Sequence, residues 1–250
     1  MSADPEPFAV PDGSPALTEP SGLVAGTGAS LDPEGVYCPA PIAEGERVIL
    51  GHGSGGQLSN ALLRDVIGPA LALASPGGPL NDAAVVDVAG TRVAFTTGSF
   101  VVSPIRFPGG DIGELAVNGT VNDLAMCGAE PLFLSAGYLL EEGFPMRDLA
   151  RVVGSMAEAC AKVGVSLVTG DTKVVDRGKG DGIYINTSGV GRVREGVEVG
   201  PKRAAAGDAV LVSGPVGDHG IAVMAAREGI DFETALVSDS APVVAPVLAL

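Results

Sequence analysis

The segment from residue 145 to residue 176 constrains the fold most, because an amphipathic helix runs directly into a strand. Pro145 is suited to start a helix, and Gly164 is suited to end it. Apolar residues recur between them at the helical period, namely Leu149, Val152, Val153, Met156, Cys160 and Val163. Residues 167–176 have the sequence Leu-Val-Thr-Gly-Asp-Thr-Lys-Val-Val-Asp, which predicts a strand that ends at a Gly-Asp turn. This segment therefore predicts a helix packed beside a sheet.

The Gly-Asp-Thr-Lys turn (170–173) places an acid and a base where the strand is expected to end, at the rim of the sheet. The carboxylate of Asp171 is a suitable ligand for a hard cation. The ammonium group of Lys173 can neutralise a phosphate or a developing anion. A hairpin with an ordinary surface ion pair explains the same residues, so both interpretations stay open at this point.

A second well-marked helix spans Asp111 to Cys127. Asp111 and Glu114 have the spacing of a capping box, and Gly128 can close the helix end. Asp123 lies in the last third of this helix, where a carboxylate opposes the helix dipole, so it needs a cation or a salt bridge as partner. Strands are predicted at residues 47–50, 92–97, 130–138, 183–190 and 209–212, and residues 81–88 are predicted to form an acidic turn that leads into a strand. Strands, two long helices and hairpins together predict an α+β fold.

The chain divides into three predicted parts. Residues 1–44 are rich in Pro, Gly, Ser and Ala, and we expect a disordered acidic tail there. Residues 45–200 hold the predicted α+β domain. A new series of turn, strand and helix signals begins after Pro201, and residues 201–250 are too few for an ordinary core of their own. We interpret them as the truncated start of a second domain.

Composition excludes several classes of partner. The formal net charge is -15, which argues against nucleic acid and anionic membranes as partners. No apolar run reaches the ~18 residues of a membrane span, and the first basic residue is Arg47, so we expect no secretory signal and a cytoplasmic location. The cysteines, Cys38, Cys127 and Cys160, form no Cys-x-x-Cys pair. Cys127 and Cys160 are predicted to be small buried thiols.

A glycine-rich loop comes before the first predicted helix. Its residues are His52, Gly53, Ser54, Gly55 and Gly56. Backbone N–H groups of such a loop can bind an anion at the helix start. The loop is neither a Walker A motif nor a dinucleotide fingerprint, and a flexible linker would have the same composition.

The order of the short motifs is more specific than any one of them. The motifs are His-Gly-Ser-Gly-Gly (52–56), Asn-Asp-Ala-Ala-Val (81–85), Phe-Pro-Gly-Gly (107–110), Gly-Thr-Val-Asn-Asp-Leu-Ala (119–125), Leu-Glu-Glu-Gly-Phe-Pro-Met (140–146), Val-Thr-Gly-Asp-Thr-Lys-Val-Val (168–175) and Val-Ser-Gly-Pro-Val-Gly-Asp-His-Gly (212–220). This series resembles the HypE family, the carbamoyl dehydratases of [NiFe]-hydrogenase maturation. That family belongs to the aminoimidazole-ribonucleotide-synthetase superfamily of ATP-using enzymes.

The resemblance implies an aminoimidazole-ribonucleotide-synthetase-like N-terminal α/β domain with a mixed sheet, followed by a second α/β domain that is truncated here. It implies a homodimer formed through the sheets. It also implies that the partner HypF delivers a carbamoyl group to a C-terminal cysteine. ATP would then drive dehydration of this thiocarboxamide to a thiocyanate, which supplies cyanide to iron on the HypC–HypD complex.

The resemblance also assigns roles to individual residues. Asp82, Asp123 and Asp171 would hold Mg²⁺. Lys173 and Asp123 would be catalytic, with Lys173 acting on ATP or the transferring phosphoryl group. The residues expected to bind ATP or its phosphates are His52, Gly53, Ser54, Gly55, Gly56, Asn122 and Thr172.

Two departures from the family keep alternatives open. The acceptor cysteine and most of the second domain are absent from this sequence. Gly98 stands where the family usually has aspartate, in a predicted loop at the sheet rim beside Asp82, where it either removes a metal ligand or supplies a positive φ. The alternatives are another superfamily ATPase, of the selenophosphate synthetase or thiamine-phosphate kinase type, and a non-catalytic dimerising fragment.

Overall fold

The computed structural model describes residues 47–71, 81–230, 232, 234 and 236–250. The chain forms two compact units, Met1–Ser75 and Pro76–Leu250, which we describe separately. The predicted tail, residues 1–44, and Cys38 within it lie outside the described residues. The predicted boundary near residue 201 falls within the second unit and stays a prediction.

The first unit contains a short 3₁₀ turn and a helix with a π-turn in its middle. The turn is Leu50–Gly53, and the helix comprises α1 (Gln57–Leu62), the π-turn Leu63–Ile67 and α2 (Gly68–Leu71). The prediction of a strand at residues 47–50 is therefore wrong. The backbone closes on itself instead, because Ile49 N donates to His52 Nδ1 at 3.0 Å and His52 N donates to the Ile49 carbonyl.

The second unit is built on a five-stranded sheet in the order β1-β2-β7-β5-β6. The strands are β1 (Ala84–Val88), β2 (Thr91–Phe100), β5 (Ala129–Glu141), β6 (Ser166–Val175) and β7 (Ile183–Val193), and a small hairpin is formed by β3 (Arg106–Phe107) and β4 (Gly110–Asp111). Neighbouring strands of the large sheet are antiparallel, except that β5 and β6 are parallel. The mixed sheet with its helices confirms the predicted α+β class.

Four α-helices belong to this unit, in the part of the chain that the structure describes. They are α3 (Ile112–Met126), α4 (Met146–Val163), α5 (Asp218–Glu228) and α6 (Val244–Ala249). The predicted ends of α3 and α4 are confirmed: the Asp111 carboxylate accepts from Gly113 N and Glu114 N, and Gly164 ends α4 with φ 74°. Helix α4 is the crossover that parallel strands β5 and β6 require. None of the described helices has the length and hydrophobicity needed to span a membrane.

The two faces of the sheet differ, because helix α3 packs on only one of them. The Thr120 hydroxyl of α3 shares a hydrogen bond with the Thr187 hydroxyl of β7, and both side chains are buried. A Cβ atom on Gly189 would lie 2.8 Å from Thr120 Cγ2, so glycine is needed for this close approach. We call this side of the sheet the helix face and the other side the open face.

The core lies on the helix face, where the largest fully buried side chains meet. They include Ile112, Leu124, Leu134, Met156, Ile183 and Ile185. The predicted burial of Cys127 and Cys160 is confirmed, and burial raises the pKa of both thiols. Both cysteines are therefore held as neutral, unreactive thiols in the described core.

Strand β6 differs from its prediction, because it continues through the Gly-Asp-Thr-Lys motif instead of ending there. Pairing with β5 along its length keeps β6 extended. Gly170 allows the two strands to approach closely, since a Cβ there would lie 2.4 Å from the Ala136 carbonyl oxygen. Strand β7 runs antiparallel to β6, as predicted, but β5 lies between them. Asp171 and Lys173 therefore lie along an edge strand, not in a hairpin turn.

Two further predictions are wrong. Gly98 lies inside β2, which extends to Phe100, and it is absent from the glycines that have positive φ. It is therefore neither in a rim loop nor required for a left-handed conformation. Residues 209–212 form no strand, because no strand among the described residues pairs with them, and Val210 is 90% exposed.

Candidate functional site

The hydroxyl of Thr96 brings two predicted metal ligands together. Thr96 lies on β2 and faces α3, and its Oγ1 donates to the Asp82 carbonyl oxygen at 2.7 Å. The same Oγ1 lies 3.3 Å from Asp123 Oδ2. A hydroxyl has one proton, so it donates to only one of these two oxygens at a time. We call Asp82, Thr96 and Asp123 the acidic half-site.

Asp123 is half-buried, and its ionisation is disfavoured. Removal from water is the main cause that raises the pKa of its carboxyl to about 6, the Thr96 hydrogen bond lowers it, and the charge of Asp82 raises it. A bound cation would reverse both unfavourable effects, because it stabilises the carboxylate form. The acidic half-site therefore has the electrostatic character of a site that gains from a cation.

Asp171 and Lys173 form a separate cluster on the open face, which we call the basic half-site. Lys173 Nζ lies 2.9 Å from Asp171 Oδ2, and both side chains are mostly exposed. The hydrogen bond from Lys173 is the main cause that lowers the pKa of the Asp171 carboxyl, helped by a bond from Thr172 N. The exposed pair itself adds little to stability.

The register of the sheet shows that the two half-sites are apart within one chain. Thr187 faces α3, and its partner across β5 and β6 is Gly170, so the next residue, Asp171, lies on the open face. Strands β2 and β6 are separated by β7 and β5, which is about 14 Å at 4.7–4.9 Å per strand. The three predicted metal ligands therefore do not meet, and the described residues contain no cluster of three or more His, Cys, Asp or Glu that could hold a metal.

Asn122, predicted to bind phosphate, has a structural role. Its Nδ2 donates to the Ala241 carbonyl at 3.0 Å, and its Oδ1 accepts from Val243 N at 2.8 Å. Nearby, Asn118 Nδ2 donates to Ser240 Oγ. Helix α3 thus anchors the segment that leads into α6, and sequence reasoning did not anticipate this contact.

The glycine-rich loop belongs to the first unit. Within it, Ser54 Oγ donates to the Gly51 carbonyl, and Gly55 N donates to Ser59 Oγ at 2.8 Å. The loop is therefore ordered by local hydrogen bonds at the start of α1. Phosphate binding by residues 52–56 stays a prediction.

Comparison with known proteins agrees with this fold. The model of the AIR synthase related protein, N-terminal domain, matches residues 80–193. Carbamoyl dehydratase HypE of Rhizobium leguminosarum bv. viciae is 48% identical over 78% of this chain and 55% of its own length. Carbamoyl dehydratase HypE of Cupriavidus necator is 47% identical over 83% of this chain and 59% of its own length. The chain therefore resembles the HypE proteins in sequence over most of its own length.

Solved HypE structures show the same resemblance. A HypE–HypF complex is 50% identical with a TM-score of 0.67, and covers 74% of this chain and 60% of that chain. A HypE structure in complex with ATP is 44% identical with a TM-score of 0.62, and covers 81% of this chain and 60% of that chain. The chain therefore spans little more than half the length of the HypE proteins that it matches.

The expected departure from the HypE family at Gly98 has a steric consequence. A Cβ on Gly98 would lie 2.8 Å from Phe100 Cε2 and 3.6 Å from Thr120 Oγ1. A Cβ on Gly119 of α3 would meet the same ring at 2.8 Å. The Phe100 ring therefore occupies the space between β2 and α3 into which any side chain at position 98 would extend.

Two residues of the surroundings were missed from the sequence. Thr96 was not singled out, because a threonine within a predicted strand carries no signal that it joins two acidic residues. Asp239 lies far along the chain from the Gly-Asp-His-Gly motif, yet its carboxylate accepts from Gly217 N and His219 N at the start of α5. These hydrogen bonds, that from His219 first, lower the pKa of Asp239.

Proposed function

We propose that this chain carries the ATP-binding and dimerisation part of a carbamoyl dehydratase that acts in [NiFe]-hydrogenase maturation. The observation that carries the proposal is the acidic half-site, where Asp82 and Asp123 meet at the Thr96 hydroxyl, in a chain related to HypE proteins. Two carboxylates beside a helix and a strand suit an enzyme that must hold a cation and phosphates.

The proposed reaction is the dehydration of a cysteine-bound carbamoyl group. The amide oxygen of the thiocarboxamide attacks the γ-phosphorus of ATP, and ADP leaves. The C–O bond then breaks, and the oxygen leaves as part of the phosphate. The nitrogen loses its remaining protons, which leaves the thiocyanate S–C≡N. ATP is needed because an amide oxygen is a poor leaving group and phosphate is a good one, so the enzyme acts mainly by positioning and by stabilising charge.

Mg²⁺ fits the acidic half-site but not the full set of three predicted ligands. Mg²⁺ is commonly held by one or two carboxylates together with water and substrate phosphates. Asp82 and Asp123 would supply these carboxylates, and the ion would neutralise phosphate charge when bound. The raised pKa of Asp123 is consistent with this role, because a carboxylate with no cation beside it is disfavoured there.

Lys173 acts on the phosphates in this proposal, although it lies on the other face of the sheet. We propose that two copies pair through their open faces, with the edge strand β6 of one copy beside the edge of β2 that β1 leaves free after Phe95 in the other. Each site would then use the acidic half-site of one copy and the basic half-site of the other, which meet around that edge. The open face supports such pairing, because Phe95 and Phe133 lie there and are 49% and 48% exposed. In the same proposal Asp171 orients Lys173 through their ion pair.

The remaining partners follow from the family. We propose HypF as the carbamoyl donor, the HypC–HypD complex as the acceptor of cyanide, and the cytoplasm as the location. The cysteine that carries the carbamoyl group would lie in the C-terminal half of the HypE proteins, which this sequence does not cover. Neither Cys127 nor Cys160 is suited to replace it, since both are buried.

Calorimetric titration with Mg–ATP tests the proposal. The parent chain is expected to bind in a saturable manner, and Asp123→Ala and Lys173→Ala are each expected to bind at least ~10-fold more weakly, since charged contacts contribute ~1.5–3 kcal/mol. Lys162→Ala, which removes an exposed lysine of α4, is the matched control and should bind as the parent does. A parent chain that dimerises but binds no Mg–ATP would contradict the proposal and support a non-catalytic dimerising fragment.

A further inference from the structure

A cavity of about 590 Å³ lies at the end of the sheet where β2 and β5 begin and β7 ends. Its lining includes three arginines, Arg92, Arg192 and Arg194, together with Glu130 and Glu195. Because β7 runs antiparallel to both neighbours, the start of β2, the start of β5 and the end of β7 come together at this end. We call this cavity the arginine pocket. Asp82, Asp123 and Lys173 do not line it.

Two of the three arginines lie near a single carboxylate, that of Glu130. Glu130 and Arg192 are direct partners across β5 and β7, and Arg192 Nη2 lies 2.9 Å from Glu130 Oε2. Arg194 Nε lies 3.8 Å from Glu130 Oε1, beyond hydrogen-bond distance, and Arg194 Nη2 donates to the Leu248 carbonyl. Arg92 Nη1 donates to the Val197 carbonyl at 2.8 Å.

The pocket is positively charged in an acidic chain. Its three guanidinium groups outnumber the two carboxylates, whereas the chain has 15 Lys and Arg against 30 Asp and Glu. Each guanidinium has five N–H donors, and the contacts above use only a few of them. Arg194 Nε is buried and has no acceptor within hydrogen-bond distance among the described residues. A buried charged donor without an acceptor is costly, and the negative charge of an anion bound nearby would offset part of this cost.

We propose that the arginine pocket binds a small anion that carries phosphate groups. Planar guanidinium groups match the oxygens of phosphate in paired hydrogen bonds, which a lysine cluster does not provide. The volume lies in the range of small-molecule sites and is sufficient for a pyrophosphate or a mononucleotide. Glu130 competes with the anion for Arg192, so it sets the affinity of the pocket. This site is separate from the proposed ATP site and does not depend on it.

Titration with inorganic pyrophosphate, in EDTA and without magnesium, tests the proposal. Arg192→Gln should weaken binding about tenfold, because it removes one charged contact. Glu130→Gln should tighten binding severalfold, because it keeps the side-chain shape and releases the arginines from a competing charge. Arg151→Gln is the matched control, since Arg151 has a similar exposure, pairs with one carboxylate, Asp148, and lies on α4. A second titration with AMP tests the kind of phosphate that the pocket accepts. A pocket for free phosphates binds pyrophosphate but not AMP, whereas a pocket that also accepts phosphate esters binds both.

Two controls keep the result specific. The oligomeric state of each variant is measured, because Arg192 and Glu130 lie at the end of the open face. Lys173→Ala is titrated as well, since the basic half-site is a competing location for pyrophosphate. The proposal is overturned if the parent shows no saturable binding, if Arg192→Gln and Glu130→Gln both bind as the parent does, or if only Lys173→Ala loses binding.

Discussion

Asp123 and Lys173 lie on opposite sides of the same sheet, Asp123 on the helix face and Lys173 on the open face. Asp123 belongs to α3 and contacts Thr96 of β2, whereas Lys173 lies on the edge strand β6 beside Asp171. Both residues were predicted to be catalytic at one ATP site, Asp123 through Mg²⁺ and Lys173 through ATP or the transferring phosphoryl group. A single chain with this arrangement does not bring them together. The predictions below follow from this separation and from the residues that surround each half-site.

The first prediction concerns the pH dependence of stability. The pKa of Asp123 rises from 3.8 to about 6 on folding, so the folded state binds more protons between these values and the free energy of unfolding falls as pH rises through them. Asp123→Asn removes this term. The melting temperature of the variant minus that of the parent should therefore increase from pH 4 to pH 7.

Thermal unfolding in EDTA across this pH range measures the effect. Ser99→Ala, an exposed position on the same strand as Thr96, is the control and should give a constant difference, because it removes no titratable group. If Asp123→Asn also gives a constant difference, then the proposed environment of this carboxyl is wrong.

The second prediction concerns Gly98. An aspartate there must displace the Phe100 ring, so Gly98→Asp should lower the free energy of unfolding by about 1–3 kcal/mol. In a Phe100→Leu background the same change should cost less, because the obstructing ring is gone. Urea unfolding of the four chains in this cycle gives both values.

Gly98→Ala isolates the steric effect of a Cβ at this position and should also lower stability. Gly137→Ala is its control, because a Cβ at Gly137 meets its nearest neighbour at an ordinary 3.7 Å. If Gly98→Asp leaves the free energy of unfolding unchanged, then the Phe100 ring does not obstruct a side chain at position 98, and aspartate fits there without strain.

The third prediction separates structure from phosphate binding at Asn122. Asn122→Ala removes two hydrogen bonds to the segment 241–243 and should lower the free energy of unfolding by about 1–3 kcal/mol. Hydrogen exchange at the Val243 amide should accelerate, since its acceptor is lost. Asn186→Ala, on the open face, should leave Val243 exchange unchanged. Unaltered exchange in Asn122→Ala would be inconsistent with the anchoring role.

Much of this fold was predictable because local signals agreed with tertiary packing. Helix α4 has a Pro start, a Gly end and a regular apolar stripe, and three residues of that stripe, Val152, Met156 and Cys160, are buried in the structure, although Val153 is exposed. Helix α3 was identified from Asp111 and Gly128, which act at its two ends as expected.

The failures have a shared physical cause, which is that strand pairing is not local. The Gly-Asp-Thr-Lys motif resembles a turn in sequence, yet pairing with β5 keeps it extended. The segment Thr97-Gly98-Ser99 has the composition of a loop, yet Gly98 lies in β2 and pairs with Thr187 of β7. The site was predictable only as a set of residues. Which face of the sheet each occupies depends on a register that the sequence does not reveal.

The fourth prediction tests the open face as a dimer interface. Phe133→Lys places a charge among exposed apolar side chains and should shift the chain from dimer to monomer in sedimentation experiments. Val153→Lys is the matched control, because Val153 is 41% exposed on α4 and lies outside the open face. Equal association in both variants would exclude the open face as the interface.

The most direct test of the central claim uses a mixed dimer. Chains with Asp123→Ala and Lys173→Ala are co-expressed with different tags, and the heterodimer is isolated and titrated with Mg–ATP. If each site combines the acidic half-site of one copy with the basic half-site of the other, then one intact site forms, about half the number in the parent dimer. Both homodimers of the variants should bind weakly. A heterodimer that binds no better than either variant homodimer would contradict a site shared between two copies.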